Sequence, residues 1–155
     1  MKRLMFAIGL LCLLGCEGEA IYKTPESTLA RYMENRRMGS ALEIEAAMNC
    51  FRREDKEWWL NKVLRVCELK YGKFNSMCGE GPANKSALWN DMFEPNGPQS
   101  STVTSSDIDE KEGSATLVID GKEFYFVKDH NNWKFDSLFG VREQLEEQWP
   151  ELAEQ

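Results

Sequence analysis

Three kinds of hydrophobic pattern follow one another along the chain. Residues 4–14 form an almost unbroken apolar run, relieved only by Gly9 and Cys12 and free of charge. From residue 24 to about residue 71 the apolar positions recur at helical spacing. From Ser114 to Ser137 they alternate, as in strands half-buried on a core. Each pattern carries its own start and stop signals.

In the helical region, Thr24-Pro25-Glu26 reads as an N-cap, a proline at the first helical position and an acid in the first turn. This predicts a helix to about Met38, stopped by Gly39, with Leu29, Ala30, Tyr32 and Met33 on one side. Ser40-Ala41-Leu42-Glu43 reads as a capping box opening a second helix that carries Leu42, Ala46, Ala47 and Phe51. Arg52 to Glu54 break the pattern, and Asp55 offers a new N-cap. The third helix runs to about Tyr71 and buries Leu60, Val63, Leu64, Cys67 and Tyr71. Trp58 and Trp59 point apart on such a helix, which predicts one in the core and one near a surface or pocket. Residues 72–100 are punctuated by Gly79, Gly81, Pro82, Pro95, Gly97 and Pro98 and are expected to be mostly loop. Within them Ser86 to Phe93 can make one or two helical turns, with Leu88, Trp89, Met92 and Phe93 as the apolar face.

Asp120-Gly121 is a strong two-residue hairpin signal. It sets Ile119 against Lys122, Leu117 against Phe124 and Ala115 against Phe126. A second turn around Asp129-His130-Asn131-Asn132 sets Lys128 against Trp133 and Phe126 against Phe135. The two turns are independent, yet they put the same aromatic side chains on one face. Ser101 to Asp109 is expected to add a strand before this meander. Val141, Leu145 and Trp149, four residues apart, predict a final amphipathic helix reaching Pro150. Helices first and an antiparallel sheet after them define an α+β domain over residues 24–155, with N-terminal helices packed on a curved meander and a short C-terminal helix.

The start of the chain changes the picture of where this domain works. Met1-Lys2-Arg3 followed by the apolar run is a secretory signal, too short to span a bilayer as a helix. It ends in Leu13-Leu14-Gly15-Cys16, which resembles the lipobox of bacterial lipoproteins. That resemblance implies cleavage after Gly15 and lipid on Cys16, with residues 16–23 as a short tether. A tether of that length reaches at most roughly 25 Å, at about 3.3–3.6 Å per residue. In a Gram-negative envelope, Glu17 in place of an Asp after the lipidated cysteine points to the outer membrane, facing the periplasm.

Of the 19 basic residues only Lys2 and Arg3 precede Cys16, and none of the 26 acids does, so the charge of −7 falls to about −9 after cleavage. That balance argues against nucleic acid and against anionic headgroups as partners. It suits solubility, or an acidic face for a basic partner. Three cysteines follow the anchor, and an oxidising compartment favours one disulfide. Cys67 near a helix end and Cys78, beyond the fold-back at Gly72, are the expected pair. Cys50 is then buried and inert, or free to pair with another protein. The spacing fits no zinc pattern.

The layout of residues 24–137, closing on Gly121-Lys-Glu-Phe-Tyr-Phe and Asn132-Trp-Lys-Phe-Asp136, resembles small secreted lipoproteins of the nuclear-transport-factor-two-like, or cystatin-like, superfamily. The resemblance implies a curved sheet wrapped round a long helix to form a cone with a pocket. It carries over no catalytic residue, because no catalytic motif of the superfamily matches.

The chemistry on offer is sparse. The single histidine, His130, lies in a predicted turn, and there is no nucleophile elbow or phosphate-cradling loop. Tyr125 and Asp136 face each other on the side of the sheet away from the predicted core. They form either a cross-strand pair or, in a pocket, the acidic base and tyrosine donor that enzymes of the resembled superfamily can use. Asp107, Asp109, Glu110 and Glu112 offer oxygen ligands but lack the spacing of a calcium loop, so a solvated acidic turn is the expectation. No cofactor or metal is expected. The function expected is a non-enzymatic, lipid-anchored interaction module of the cell envelope. Trp58, Trp89, Tyr125 and Trp133 are its candidate binding aromatics, and an envelope protein or a small ligand is the partner. The alternatives are a ligand carrier or enzyme using the cone's pocket, and an immunity protein against a toxin arriving in the periplasm.

Overall fold

A computed structural model of the chain describes residues 22–36, 41–72, 78 and 86–153. The export segment, Cys16, the expected helix stop at Gly39, and Ser40 and the Leu42 side chain of the expected capping box all lie outside the described residues.

The fold is α+β: six α-helices and a four-stranded antiparallel meander are described. Helix α1 (Pro25–Asn35) starts as its residues dictate. Thr24 Oγ1 accepts from the Ser27 N–H, Ser27 Oγ accepts from the Thr24 N–H, and Pro25 opens the first turn. Helix α2 (Ala41–Met48) follows. Helix α3 (Arg53–Trp58), a π-helical segment (Trp59–Val63) and α4 (Leu64–Tyr71) abut one another. Here two expectations are corrected. Arg52, not Asp55, is the N-cap; Asp55 sits in the first turn of the helix and is buried. The buried stripe keeps Val63 and Cys67 of the five expected residues but is otherwise different. Trp58 and Trp59 both enter the core, and Trp59, Val63 and Cys67 form its centre, while Leu60 and Leu64 are half-buried and Tyr71 is exposed. Within this stretch the Trp59–Val63 segment is wound more widely than an α-helix.

The 72–100 stretch holds more helix than expected. Helix α5 (Ala87–Asn96) is capped by Ser86, whose Oγ accepts from the Trp89 N–H, and it continues through Pro95. Leu88, Trp89 and Phe93 are its buried face.

Strands β1 (Val103–Asp109), β2 (Ser114–Ile119), β3 (Lys122–Asp129) and β4 (Asn132–Phe135) lie in sequence order. The observed register is the one set by the two turns: Ile119 opposite Lys122, Leu117 opposite Phe124, Ala115 opposite Phe126, Phe126 opposite Phe135 and Lys128 opposite Trp133. Both loops have positive φ at their two central residues, 52° and 77° at Asp120 and Gly121, and 50° and 65° at His130 and Asn131. That is the type I′ form whose twist matches the strands. Helix α6 (Val141–Gln148) buries Val141 and Leu145, and a short 3₁₀ turn (Pro150–Leu152) follows the buried Trp149.

The space between the helices and the sheet is filled by rings. Phe135 lies against Tyr32, Phe51, Phe126 and Phe139, with centroids 5.4, 5.3, 4.4 and 4.9 Å away. A second group stacks Trp89 on Phe93 at 4.0 Å, with Trp59 edge-on to both. Phe93 joins the groups through Phe51 at 5.9 Å. Edge-to-face contacts of this kind add about 0.5–1.5 kcal/mol per pair beyond area burial.

Cys67 and Cys78 are joined, with Cα atoms 5.8 Å apart, and Cys50 is a buried free thiol whose pKa burial pushes up to about 12. The bridge closes a loop of 11 residues, for which chain entropy gives about 3 kcal/mol. Replacing both cysteines by serine is expected to lower the unfolding free energy by about 2–3 kcal/mol. Urea titrations of the two proteins check this, and an unchanged midpoint refutes it.

Candidate functional site

The sheet has two unlike faces. Residues of the inner face (Ala115, Leu117, Ile119, Phe124, Phe126, Trp133, Phe135) are buried against the helices. The outer face is polar and open. One row runs across β1, β2 and β3 to the residue that follows β4, Asp107–Thr116–Tyr125–Asp136: the first two contacts are register pairs, and the Asp136 N–H donates to the Tyr125 carbonyl at 2.9 Å. Tyr125 is 56% exposed, an unusual position for a large ring, and its hydroxyl donates to Glu123 Oε2 at 2.5 Å. That bond raises the tyrosine pKa, so the ring presents a neutral hydroxyl. A shallow depression of about 280 Å³ lies over this row, bordered by Asp107, Asp109, Tyr125 and Asp136.

Tyr125 and Asp136 are thus neighbours on the outer face, as their register requires. Asp136 turns its carboxylate to Arg52, 3.4 Å from Nη1, while Tyr125 is bonded to Glu123. Neither side chain is hydrogen-bonded to the other, and both stand in solvent.

The other three aromatic candidates are placed differently. Trp89 and Trp133 are fully buried and Trp58 is 7% exposed. They pack the core, and of the four aromatic candidates Tyr125 alone stands exposed. Each indole is retained by apolar burial, which is the commoner fate of a tryptophan at helical or strand core spacing.

On the β4 side, the outer face is bounded by residues 49–57. Lys134 Nζ donates to the Asn49 carbonyl and lies 3.7 Å from the Tyr22 ring centroid. Burial lowers its pKa. A wider cleft of about 530 Å³ lies between Val127, Asp129 and the start of α3, with Arg52 and Arg53 on its wall. Behind it is a group that sequence reading missed. The Asp55 carboxylate, 4% exposed, sits between Arg52 Nε at 3.5 Å and Arg142 Nη1 at 3.7 Å, and Arg142 lies 4.7 Å from the Trp58 ring. Arg52 is a local partner, but the second, Arg142, is 87 residues away in α6 and nothing near Asp55 announces it. The net effect of burial, which raises the Asp55 pKa, exceeds that of Arg52 and Arg142, which lower it.

His130 occupies the β3–β4 turn, exposed, with Nδ1 2.7 Å from Asp129 Oδ1. Asp107, Asp109, Glu110 and Glu112 are exposed. Asp109 Oδ1 accepts from the N–H groups of Lys111 and Glu112, and Glu110 pairs with Lys128. Among the described residues no three His, Cys, Asp or Glu side chains are grouped to hold a metal ion, and no helix is long and apolar enough to cross a membrane.

Compared with known proteins, the chain matches no family model, no curated protein and no solved structure.

Two outcomes are expected. Tyr125→Ala should leave stability within about 0.5 kcal/mol, as for other exposed positions, whereas Trp133→Ala should cost about 3–5 kcal/mol as a cavity in the core. Chemical denaturation of the pair decides, and equal losses would show Tyr125 to be structural. Because the folded Asp55 pKa is raised, the folded state binds the extra proton, and that stabilisation is present in acid and lost as pH rises through the folded pKa. Asp55→Asn removes this dependence, so its stability relative to the native protein should improve from pH 3.5 to pH 7. A difference that is flat or declines over that span overturns the assignment.

Proposed function

We propose that the chain is a lipid-anchored protein of the bacterial cell envelope whose folded part is a non-enzymatic interaction module. The observation that carries this reading is the contrast between the two faces of the sheet. The inner face is closed by interlocked rings, and the outer face keeps one large exposed aromatic in a row of carboxylates. A tyrosine so placed offers a rigid, amphipathic contact at small entropic cost. The acidic surround favours a partner of basic surface and speeds its approach.

The position of the tether supports the same reading. Tyr22, six residues after Cys16, already lies on the β4 edge, where its carbonyl accepts from the Trp133 N–H at 2.8 Å. Lipid on Cys16 would therefore stand within roughly 20 Å of that edge. Several acyl chains on one residue give near-permanent attachment, at about 0.8 kcal/mol per buried methylene.

Two measurements test the reading. In a bacterial host grown with radiolabelled palmitate, the native chain is expected to take up label and sediment with membranes, and Cys16→Ser to do neither. Label on both proteins, or on neither, removes the anchor. A photo-crosslinking amino acid at position 125 is expected to give a discrete adduct in the envelope, while one at the buried position 133 gives none. No adduct from position 125 removes the interaction module.

A further inference from the structure

The two edges of the sheet are treated oppositely. At β4 three of the four outward backbone groups of Trp133 and Phe135 are engaged. The Trp133 N–H donates to the Tyr22 carbonyl, the Trp133 carbonyl accepts from Thr28 Oγ1 at 2.7 Å, and the Phe135 N–H donates to the Cys50 carbonyl at 2.8 Å. At β1 the ladder can be followed by parity. The two-residue turn makes Ile119–Lys122 a hydrogen-bonded pair, so Leu117 and Ala115 also bond to β3. Val118, Thr116 and Ser114 then bond to β1, through Ser105, Asp107 and Asp109. The N–H and C=O of Ser106 and Ile108 are left pointing away from the sheet, and among the described residues nothing pairs with them.

An open edge of this length is unusual. β1 has seven residues, and all but Val103 are exposed. Edges are ordinarily blunted by charge, lysine above all, by proline, by bulges or by shortness; Val103–Asp109 contains neither lysine nor proline, and its charges are the carboxylates of Asp107 and Asp109. Its one irregularity lies at Thr104, before the open groups. Ile108, 38% exposed, stands on the helix side of the edge, and Asp107 and Asp109 stand on the outer side.

We infer that β1 is a strand-addition site that accepts an extended, basic segment of a partner protein. Main-chain bonds to Ser106 and Ile108 hold the segment, and alternate side chains choose it. Positions over the outer face meet Asp107 and Asp109, and so call for Lys or Arg. Positions over the other face meet Ile108, and so call for an apolar residue. A second copy of this chain is the poorer occupant, because edge-to-edge pairing brings the same carboxylates together. The site also suits a tethered protein. It is the edge opposite Tyr22, three strand spacings or about 14 Å across the sheet, and so on the side away from the anchor.

This inference rests on the interaction-module reading and names its partner chemistry. The test uses the full lipidated chain in detergent micelles at 0.15 M salt. The probes are fluorescein-labelled peptides of sequence KVKVKVK and EVEVEVE, followed by anisotropy. The basic peptide is expected to bind at least tenfold more tightly than the acidic one. Asp107→Lys and Ser106→Pro should each weaken it at least tenfold; the latter deletes an outward N–H that β2 does not use. Should the proline variant fold poorly, amide exchange on the native protein supplies the same answer: saturating basic peptide slows the Ser106 and Ile108 N–H groups at least tenfold. No binding, equal binding of the two peptides, or binding that leaves those two amides unprotected overturns strand addition. An adduct from position 125 alongside any of those results would leave the interaction module standing and the edge discarded.

Discussion

The packing of Phe139 into the aromatic core is the constraint on which the rest of the structure leans. Its backbone sits at φ 56°, in the left-handed region that a bulky residue rarely occupies. Such a conformation costs of order 1 kcal/mol or more and persists only when its surroundings over-determine it. Here the surroundings are rings from four other elements of the chain. Tyr32 of α1, Phe51 after α2, Phe124 of β3 and Phe135 of β4 all lie within 4.9–5.6 Å of Phe139, centroid to centroid. The turn at Phe139 and Gly140 then starts α6, whose Val141 and Leu145, with Trp149 just after it, join the same core. A strained joint is held by packing, and the joint in turn sets where the last helix lies.

The same core explains why the sheet has one closed edge and one open edge. Phe51 and Tyr32 must reach Phe135, so the chain on either side of them is drawn along β4. Cys50 and Tyr22 thereby come into position to complete its hydrogen bonds, and Phe51 forms a parallel bridge to Phe135. Nothing comparable is asked of β1. Its inner-face positions, Ser106 and Ile108, lie beyond the reach of the ring cluster and need no cover. The asymmetry of the surface is therefore a consequence of where the aromatic residues sit in the chain.

How far the sequence could be read follows from the range over which each signal acts. The hairpins were legible because the pairing of six or eight residues is decided by the two residues between them; Asp120-Gly121 and the Asp129–Asn132 turn fix the entire register. The cap at Thr24 is equally local. The Cys67–Cys78 bridge was legible because a glycine and a helix end stand between its two partners. What stayed hidden depends on distant residues. The burial of both Trp58 and Trp59 has no local marker, and neither has the π segment that begins at Trp59. Asp55 looked like a cap because an acid before an apolar run usually is one, and Arg142, which makes its burial tolerable, lies in the last helix. Of the four aromatic candidates only Tyr125 stands outside, and it was separable from the others only by strand parity, which places it with Thr116 and Asp136 rather than with Phe124 and Phe126.

Parity also gives the acidic charge a place. Spread evenly, an excess of carboxylates does little more than keep a protein soluble. On β1 it falls on alternate positions of the strand whose backbone is unpaired, so charge and open hydrogen-bonding groups share one edge. Carboxylates there repel identical chains, since an edge that meets its own copy meets the same acids. They do not repel a basic strand. The pattern therefore resists self-association while leaving the backbone accessible to a segment of opposite charge, a distinction that a lysine-guarded edge would make in the reverse sense. Selectivity of this kind needs no pocket and no catalytic group, which is consistent with a domain whose interior is given over to packing.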